Sequence, residues 1–499
     1  MENRFNLIDE PWIPIADYGK ASLKEVFHNK NFQSLGGNPV QKIAVFKLLL
    51  AIAQSAATPQ NETEWQALGA EGLAQKCLDY LDKWHDRFYL YGHKPFLQMP
   101  AISAARTLSF GAFLPEISTG NTTVLIQSQI ERGLPESDQA LVVLMQMGFA
   151  LSGKKTDNSV VLSEGYAGKR NDKGKPSTGR TGPSVAHMGL LHSFVMANSL
   201  QNSIWLNLLT TKELDNTSIF QQGLGVAPWE EMPAGEACTV AQRLQQSYMG
   251  RLIPLCRFCL LTEDGMHYSE GIAHANYKDG IQDLSVAVNS SGKEPKALWT
   301  DPEKRPWREL NSLLSFIAQG GSQGFQCWQI RFGLEKAVNT QEIFNLWSGG
   351  LRVSSNAGEQ YVSGSDDAVE SGITIYSKAI NESWFDQLKA EMTELDNLAK
   401  TLYGRVMGYF KDLTVEGKSI AANATNLFWQ LCERDFQTLV EHCDYNEESN
   451  QIRKQLRRKF AGYQRQAYDH YCPNETARQI DAWAHNLPNY SKYLAMEAS

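Results

Sequence analysis

Apolar residues recur at intervals of three and four beyond about residue 380, which is the spacing of one face of a helix. Three such stripes begin at Leu388, Phe428 and Ile452, and a shorter stripe follows Thr476. Each stripe predicts an amphipathic helix. Because only short connections separate the helices, we expect an antiparallel four-helix bundle over residues 379–499.

The hydrophobic pattern of residues 1–378 is mixed. Cap residues at Ser22 and at Asn38, which is followed by Pro39, predict helix starts, and Ile253–Leu261 before a turn predicts half a hairpin. We also expect a short strand over Phe5–Ile8 and helices over 63–92 and 137–151. The stretch 152–183 has no period. The predicted fold class is therefore α+β, with a large mixed N-terminal domain carrying loop-rich insertions before the bundle.

Composition excludes several classes of protein. The chain has 499 residues, 42% of them hydrophobic, and a formal net charge of −8. It can bury a sizeable core, and its acidity argues against coating nucleic acid by charge alone. The apolar run Ile43–Ala53 contains Lys47 and is too short to span a bilayer. With no secretory signal and eight scattered cysteines, we expect a cytoplasmic protein without membrane contact.

Short catalytic motifs occur but lack their structural context. Gly320–Gly324 matches the G-x-S-x-G elbow of hydrolases, which needs a strand before Ser322 and a helix after it. The pattern predicts the reverse, a helix over Glu309–Gln319 and a strand over Gln326–Gly333. Cys256 and Cys259 would face opposite sides of a strand. We therefore predict no enzyme activity, no catalytic residue, no metal and no cofactor.

Two segments concentrate positive charge. The stretch Lys154–Pro183 carries seven Lys or Arg residues against three acids, and its part Gly174–Gly182 mixes small residues with hydrogen-bond donors suited to a groove. The predicted helix Gln451–Tyr468 has six cations and no acid. All except Lys459 are expected to point away from the apolar stripe. Each segment has two interpretations, a contact with phosphates or a solvated surface.

Several sequence motifs, taken together, resemble one known family. They are Phe5–Pro14 (FNLIDEPWIP), His93–Gln98 (HKPFLQ), Pro306–Leu310 (PWREL) and Leu346–Arg352 (LWSGGLR). In this order, with the basic glycine loop and the closing helices, they resemble the CasA family, the large subunit of the type I-E Cascade CRISPR surveillance complex. The similarity runs over essentially the whole chain, and the N-terminal motif is the most specific.

This resemblance implies a non-catalytic subunit of an RNA-guided complex. In that family the subunit recognises the protospacer-adjacent motif (PAM) in double-stranded DNA, starts duplex opening and helps to recruit a helicase–nuclease. Base pairing with the guide RNA then reads the target sequence. The implied partners are guide RNA, double-stranded target DNA, the other Cascade subunits and the helicase–nuclease. Two alternatives remain open, a serine hydrolase using Ser322 and a helical scaffold that binds only proteins.

The resemblance also assigns roles to residues. The implied PAM-binding residues are Lys175, Ser177, Thr178, Gly179, Arg180 and Lys293. The wedge that parts the duplex is expected after Gly349–Gly350, and its candidates are Arg352, Ser354, Ser355, Asn356 and Gln360. The loop contacting guide RNA and its anchoring subunit would comprise Leu125, Ile126, Gln127, Ser128 and Gln129. The implied DNA contacts of the bundle are Arg453, Lys454, Arg457 and Arg458.

Overall fold

The computed structural model divides into two compact units, which are described separately. The described residues are 2–113, 133–149, 156–157, 159–163, 187–275, 277–318, 324–352 and 368–489. The first unit contains Met1–Trp307 and Gln323–Gly372, and the second contains Arg308–Ser322 and Ile373–Ser499. The sequence-based division after residue 378 thus differs from this one, because a segment beginning at Arg308 belongs to the second unit.

Helices dominate both units. In the first unit they are α1 (Leu23–His28), α2 (Pro39–Ala56), α3 (Glu62–Lys83), α4 (Glu136–Gly148), α5 (Leu200–Asn207), α6 (Thr211–Thr217), α7 (Thr239–Gln245), α8 (Met249–Leu252) and α10 (Trp328–Thr340). In the second unit they are α9 (Leu310–Leu313), α11 (Glu382–Asp412), α12 (Lys418–Glu441), α13 (Glu447–Tyr471) and α14 (Ala477–His485).

The strands are short and form small sheets. They are β1 (Arg4–Asn6), β2 (Ile13–Ile15), β3 (Gly19–Ala21), β4 (Tyr89–Tyr91), β5 (Thr107–Ser109), β6 (His192–Met196), β7 (Arg257–Leu261), β8 (Gly265–Glu270), β9 (Val288–Asn289), β10 (Lys296–Ala297), β11 (Ile343–Leu351) and β12 (Ala368–Tyr376). The sheets have the orders β1-β4, β2-β3, β5-β8-β7, β9-β10 and β6-β11-β12. The mixed fold class is confirmed.

Several local predictions are confirmed by the geometry. Ser22 and Glu25 form a reciprocal capping box at α1. Asn38 and Gln41 form another at α2, with Pro39 at the first helical position. The hairpin predicted after Ile253 is the antiparallel pair β7–β8. These signals succeeded because they depend only on residues close together in the sequence.

Helix α2 is the central apolar helix of the first unit. It is long and apolar enough to cross a membrane, but 78% of that window is buried inside the protein. Lys47, near its middle, is 1% exposed and lies 2.6 Å from the Asp283 carboxylate. A buried lysine with its own counter-ion is typical of a core helix in a globular unit.

Two sequence-based assignments are wrong. The helix expected over 63–92 ends at Lys83, and Tyr89–Tyr91 forms β4, which pairs with β1. The run Gln326–Gly333, expected to be a strand, lies mostly in α10, where Gln329 donates a hydrogen bond to the Asn207 carbonyl oxygen (2.8 Å). The alternating apolar residues imitate a strand, but tertiary context overrides this local pattern, and Gly333 lies so close to Val195 that a Cβ atom would be 2.9 Å from its methyl carbon.

The second unit is built around three long helices. Helix α11 contacts α12, α13 and the short α14, and α12 contacts α13. Helix α9 belongs here because it packs on α11. Leu388, Phe428 and Phe460 are fully buried, as expected from their stripes. The C-terminal helices are therefore confirmed, while their arrangement as an antiparallel four-helix bundle stays a prediction.

Candidate nucleic-acid interface

Three segments distant in the sequence meet at the end of β11. The Gly189 amide donates to the Leu351 carbonyl oxygen (3.1 Å), and the Thr300 amide donates to the Gly189 carbonyl oxygen (2.8 Å). The Leu191 amide likewise donates to the Leu298 carbonyl oxygen (3.0 Å). We call the meeting of residues 189–191, 298–300 and 349–351 the three-segment junction. Backbone hydrogen bonds hold it together, so it is a fixed part of the first unit.

Glycine is required where these segments approach most closely. A Cβ atom on Gly350 would lie 2.0 Å from the Thr300 hydroxyl oxygen and 2.5 Å from the Leu190 carbonyl oxygen. Gly349 lies in β11 and pairs with His192. Gly349 and Gly350, after which the wedge is expected, are therefore strand residues and not a turn. These glycines permit close packing inside a strand, and the chain leaves the sheet only after Leu351.

In the sequence, the junction lies next to three of the segments to which the resemblance assigns a DNA role. The basic glycine loop precedes Gly189 in the chain, and the wedge candidates follow Leu351. Between β11 and β12, which are neighbours in one sheet, lie residues 352–367. Arg352 begins this connection, and its guanidinium lies 3.3 Å from the Asp301 carboxylate. Arg352 is thus held beside the junction by an ion pair that is partly exposed.

Lys293 lies in the connection of the β9–β10 hairpin. Asn289 pairs with Lys296 in that hairpin, and the Asn289 side-chain oxygen accepts hydrogen bonds from the amide and hydroxyl of Ser291 (2.9 and 2.6 Å). Lys293 and Lys296 are both exposed. From β10 the chain runs directly into the junction at Leu298, so the hairpin presents two exposed cations next to it.

Trp299 is a residue that the sequence analysis missed. Its indole is 46% exposed, although it lies within the junction and contacts Tyr277 edge-on at a centroid separation of 6.4 Å. An exposed tryptophan beside cations is a common feature of surfaces on which bases stack. The signal available in the sequence was a lone tryptophan after the polar turn 289–295, which was too weak to single out.

Other predicted site residues lie outside the described part of the chain. They are Leu125, Ile126, Gln127, Ser128, Gln129, Lys175, Ser177, Thr178, Gly179, Arg180, Ser354, Ser355, Asn356 and Gln360. Ser322 of the hydrolase-like motif also lies outside it. A helical turn at Ser315–Ile317 comes before that motif and α10 comes after it. The helix that an elbow needs is therefore present, but a strand does not precede it among the described residues 308–318.

The basic helix α13 uses much of its charge internally. Arg453 is 4% exposed and donates hydrogen bonds to the carbonyl oxygens of His442 and Asp444. Arg457 binds the buried Glu391 carboxylate of α11 through two nitrogens. The expectation that Arg453 points away from the apolar face is wrong. It fills a buried position because Glu391 and the end of α12 supply its partners.

The remaining cations of α13 differ in their surroundings. Lys459, expected to face the core, is exposed and lies 2.6 Å from Asp435 of α12. Lys454 is half-buried and forms no ion pair with a described residue, and Arg458 is also half-buried. The absence of acids from Gln451–Tyr468 was misleading, because Glu391 of α11 and Asp435 of α12 supply counter-ions and Asp469, further along α13, pairs with Arg465.

A buried histidine–carboxylate cluster lies in the first unit. His187, His192 and Asp283 bring three possible ligand atoms within 4.8 Å of one another. The Lys47 ammonium already lies 2.6 Å from Asp283, and the His192 nitrogens lie 2.9 Å from the Ser285 hydroxyl and 3.1 Å from the His187 carbonyl oxygen. The resident Lys47 cation at Asp283 and the hydrogen-bonded nitrogens of His192 favour a structural role over metal binding.

The chain matches a protein-family model over most of its length. A family model described as CRISPR-associated protein Cse1 matches residues 6–467. The chain belongs to the Cse1 family. The resemblance drawn from the sequence motifs is therefore confirmed at the level of the family.

Individual members of the Cse1 family are distant in sequence. A protein named CRISPR-associated protein CasA/Cse1 from Thermus thermophilus is 30% identical over 164 residues, which cover 30% of this chain and 32% of that relative. The chain thus aligns with about a third of the length of this relative.

Solved structures resemble the fold over almost the full length. A CRISPR-associated protein from Thermus thermophilus has a TM-score of 0.72 at 20% identity, with 99% of both chains covered. Cse1 from Thermobifida fusca gives 0.72 at 18% identity, again with 99% of both covered. A chain of a structure called a CRISPR RNA-guided surveillance complex gives 0.68 at 14% identity, with 99% of this chain and 100% of that chain covered.

Proposed function

We propose that this protein is the large subunit of an RNA-guided CRISPR surveillance complex and that it contacts duplex DNA at the three-segment junction. Membership of the Cse1 family supports the first part. The observation that carries the second is the hydrogen-bonded meeting of residues 189–191, 298–300 and 349–351. In the sequence, the glycine loop and the β9–β10 hairpin come shortly before the first two of these segments, and the β11–β12 connection follows the third. A groove reader and a strand-parting segment must act on neighbouring base pairs, so both need a common rigid base.

We propose a different role for each group of side chains at this site. Lys293 and Lys296 meet phosphates, which positions the duplex without reading its sequence. Trp299 offers an exposed ring for stacking on a base that has left its pair. The residues proposed to probe the PAM are Lys175, Ser177, Thr178, Gly179 and Arg180. The proposed wedge begins at Arg352. Its further candidates are Ser354, Ser355, Asn356 and Gln360.

The same proposal includes further partners. Guide RNA and an anchoring subunit contact one loop, whose residues are Leu125, Ile126, Gln127, Ser128 and Gln129. A helicase–nuclease is recruited after DNA opening. On helix α13 Lys454 and, by the family resemblance, Arg458 are the proposed DNA contacts, whereas Arg453 and Arg457 bind internal partners. The subunit contributes binding and positioning rather than catalysis.

The experiment uses the complex assembled with guide RNA and sibling subunits. Replacing Lys293 and Lys296 by Ala should weaken duplex target binding and flatten its salt dependence. If both lysines meet phosphates, the slope of log K against log salt falls by about 1.8, roughly 0.9 for each contact. The matched control replaces Lys76 of α3 and Lys400 of α11, two exposed lysines on other elements. Unchanged affinity and slope in the Lys293/Lys296 variant would refute the proposed interface.

A Trp299→Ala variant separates opening of the duplex from docking. Base stacking on an aromatic ring contributes about 1–3 kcal/mol. The variant should therefore lose affinity for a fully paired target and retain it for short duplexes that carry only the PAM. Equal losses on both DNAs would show that Trp299 only supports the fold of the junction.

A further inference from the structure

Two adjoining cavities open on a face of the first unit that takes no part in the proposed DNA interface. The larger, of about 480 Å³, lies between α2 and the β6-β11-β12 sheet. The smaller, of about 370 Å³, lies against α3 and the start of α5. Gln33 and Asn198 line both. The two cavities therefore adjoin along these two side chains, and together we call them the amide groove.

The larger cavity has an aromatic floor. Phe46 and Phe194 are almost fully buried and meet edge-on at 4.9 Å, and Phe194 stacks beside Trp347 at 6.3 Å. Its volume lies within the usual range of ligand pockets, about 300–1,000 Å³. Such a cavity accommodates one large apolar or aromatic side chain, the usual form of an interface anchor.

The rest of the groove is lined by amides and hydroxyls. Asn31, Asn202 and the shared Gln33 and Asn198 line the smaller cavity, and Asn345 lines the larger one. The Ser371 hydroxyl oxygen is buried in the larger cavity wall with no hydrogen-bond partner among the described residues. Amide side chains offer both donors and acceptors, which matches the alternating N–H and C=O groups of an extended peptide backbone.

The charges of the groove are already balanced. Lys42 binds the Glu370 carboxylate at 2.8 Å, and the Trp347 indole N–H donates to the same carboxylate at 2.8 Å. Lys30 binds Glu71 at 2.6 Å. Among the described lining residues, each cation thus has its own carboxylate. A phosphate backbone requires unpaired cations, so this groove disfavours nucleic acid and favours an uncharged ligand.

We propose that the amide groove binds an extended, uncharged peptide segment of a partner protein and that one aromatic or large aliphatic side chain of that segment enters the Phe46–Phe194–Trp347 cavity. The peptide backbone follows the amides from Asn345 towards Asn202, and its anchor residue displaces water from the aromatic floor. Both contributions are independent of DNA, so this proposal does not rest on the proposed interface.

The test selects ligands from a random linear-peptide display library on the purified full-length chain. We expect enriched peptides to carry an aromatic or large aliphatic residue flanked by uncharged residues. Ala197→Trp, which fills the cavity mouth, and Asn198→Leu, which removes a shared amide, should each weaken these peptides at least tenfold. Asn339→Leu, an exposed position on α10, is the matched control and should leave their affinity unchanged.

Three outcomes would overturn the proposal. The first is that enriched peptides bind both groove variants as well as the parent chain, and the second is that they carry mainly charged residues. The third is that a fluorescent oligothymidylate binds the chain and is lost in Ala197→Trp, which would make the groove a nucleotide site. Duplex target binding by the assembled complex should be unaffected by Asn198→Leu, so failure here is distinguishable from failure of the DNA interface.

Discussion

The strongest test of the first unit concerns two lysines of the same helix. Lys47 and Lys42 both lie on α2 and both bind a carboxylate, Asp283 and Glu370 respectively. The Lys47–Asp283 pair is almost fully buried, whereas the side chains of the Lys42 pair are 24% and 33% exposed. We predict that Lys47→Met destabilises the unit strongly and that Lys42→Met hardly does so. Met and Lys have similar helix propensities, so the substitution itself is nearly neutral.

The expected magnitudes follow from burial. Removing one partner of a buried pair costs about 3–5 kcal/mol, because the remaining charge stays in a poorly solvated site. Removing one partner of an exposed pair costs at most about 1 kcal/mol. Asp283 also accepts hydrogen bonds from the amide and hydroxyl of Ser285. Asn at position 283 can keep these, so adding Asp283→Asn to Lys47→Met should restore much of the lost stability.

The assay is amide hydrogen exchange of peptides from α2, which reports local opening without assuming two-state unfolding. A loss of about 3–5 kcal/mol predicts exchange faster by roughly two to four powers of ten in Lys47→Met. Lys42→Met should accelerate exchange by about fivefold or less. Equal acceleration in the two variants, or no rescue by Asp283→Asn, would refute the conclusion that burial makes the Lys47 pair critical.

Three further predictions concern pH, close packing and the helical unit. Burial, reinforced by Lys47, lowers the pKa of His192 to about 4, so the unfolded chain binds its proton first, and this group should lower stability, measured by urea midpoints, by about 2 kcal/mol from pH 7 to pH 5. A His192→Gln variant should lose this contribution and keep the similar one of His274, whose pKa burial lowers to about 3. Gly350→Ala should lower the melting temperature through a loss of about 1–3 kcal/mol, whereas Gly462→Ala, with open space around its Cβ position, should not. Glu391→Gln should deprive the buried Arg453 of its counter-ion. Hydrogen exchange in α11 and α13 should therefore accelerate at least a hundredfold, whereas little change would mean that the Arg453 guanidinium is solvated.

Local signals determined the parts of this protein that depend on neighbouring residues. The caps at Ser22 and Asn38, the β7–β8 hairpin and the long C-terminal helices follow from side chains a few positions apart. The family could also be recognised from ordered motifs. The information lies in short windows of sequence, singly for the caps, hairpin and helices and as an ordered series for the family, so a single chain is enough to find it.

Tertiary structure decided the features that depend on distant residues. No local pattern shows that Gly350 must admit the Leu190 carbonyl oxygen, or that Trp299 stays exposed beside the junction. The charge of α13 was misjudged for the same reason, since Glu391 lies 62 positions before Arg453 in the sequence yet neutralises it in the fold. Long-range contacts determine which charges are paired and where a strand requires glycine. Those contacts exist only after folding.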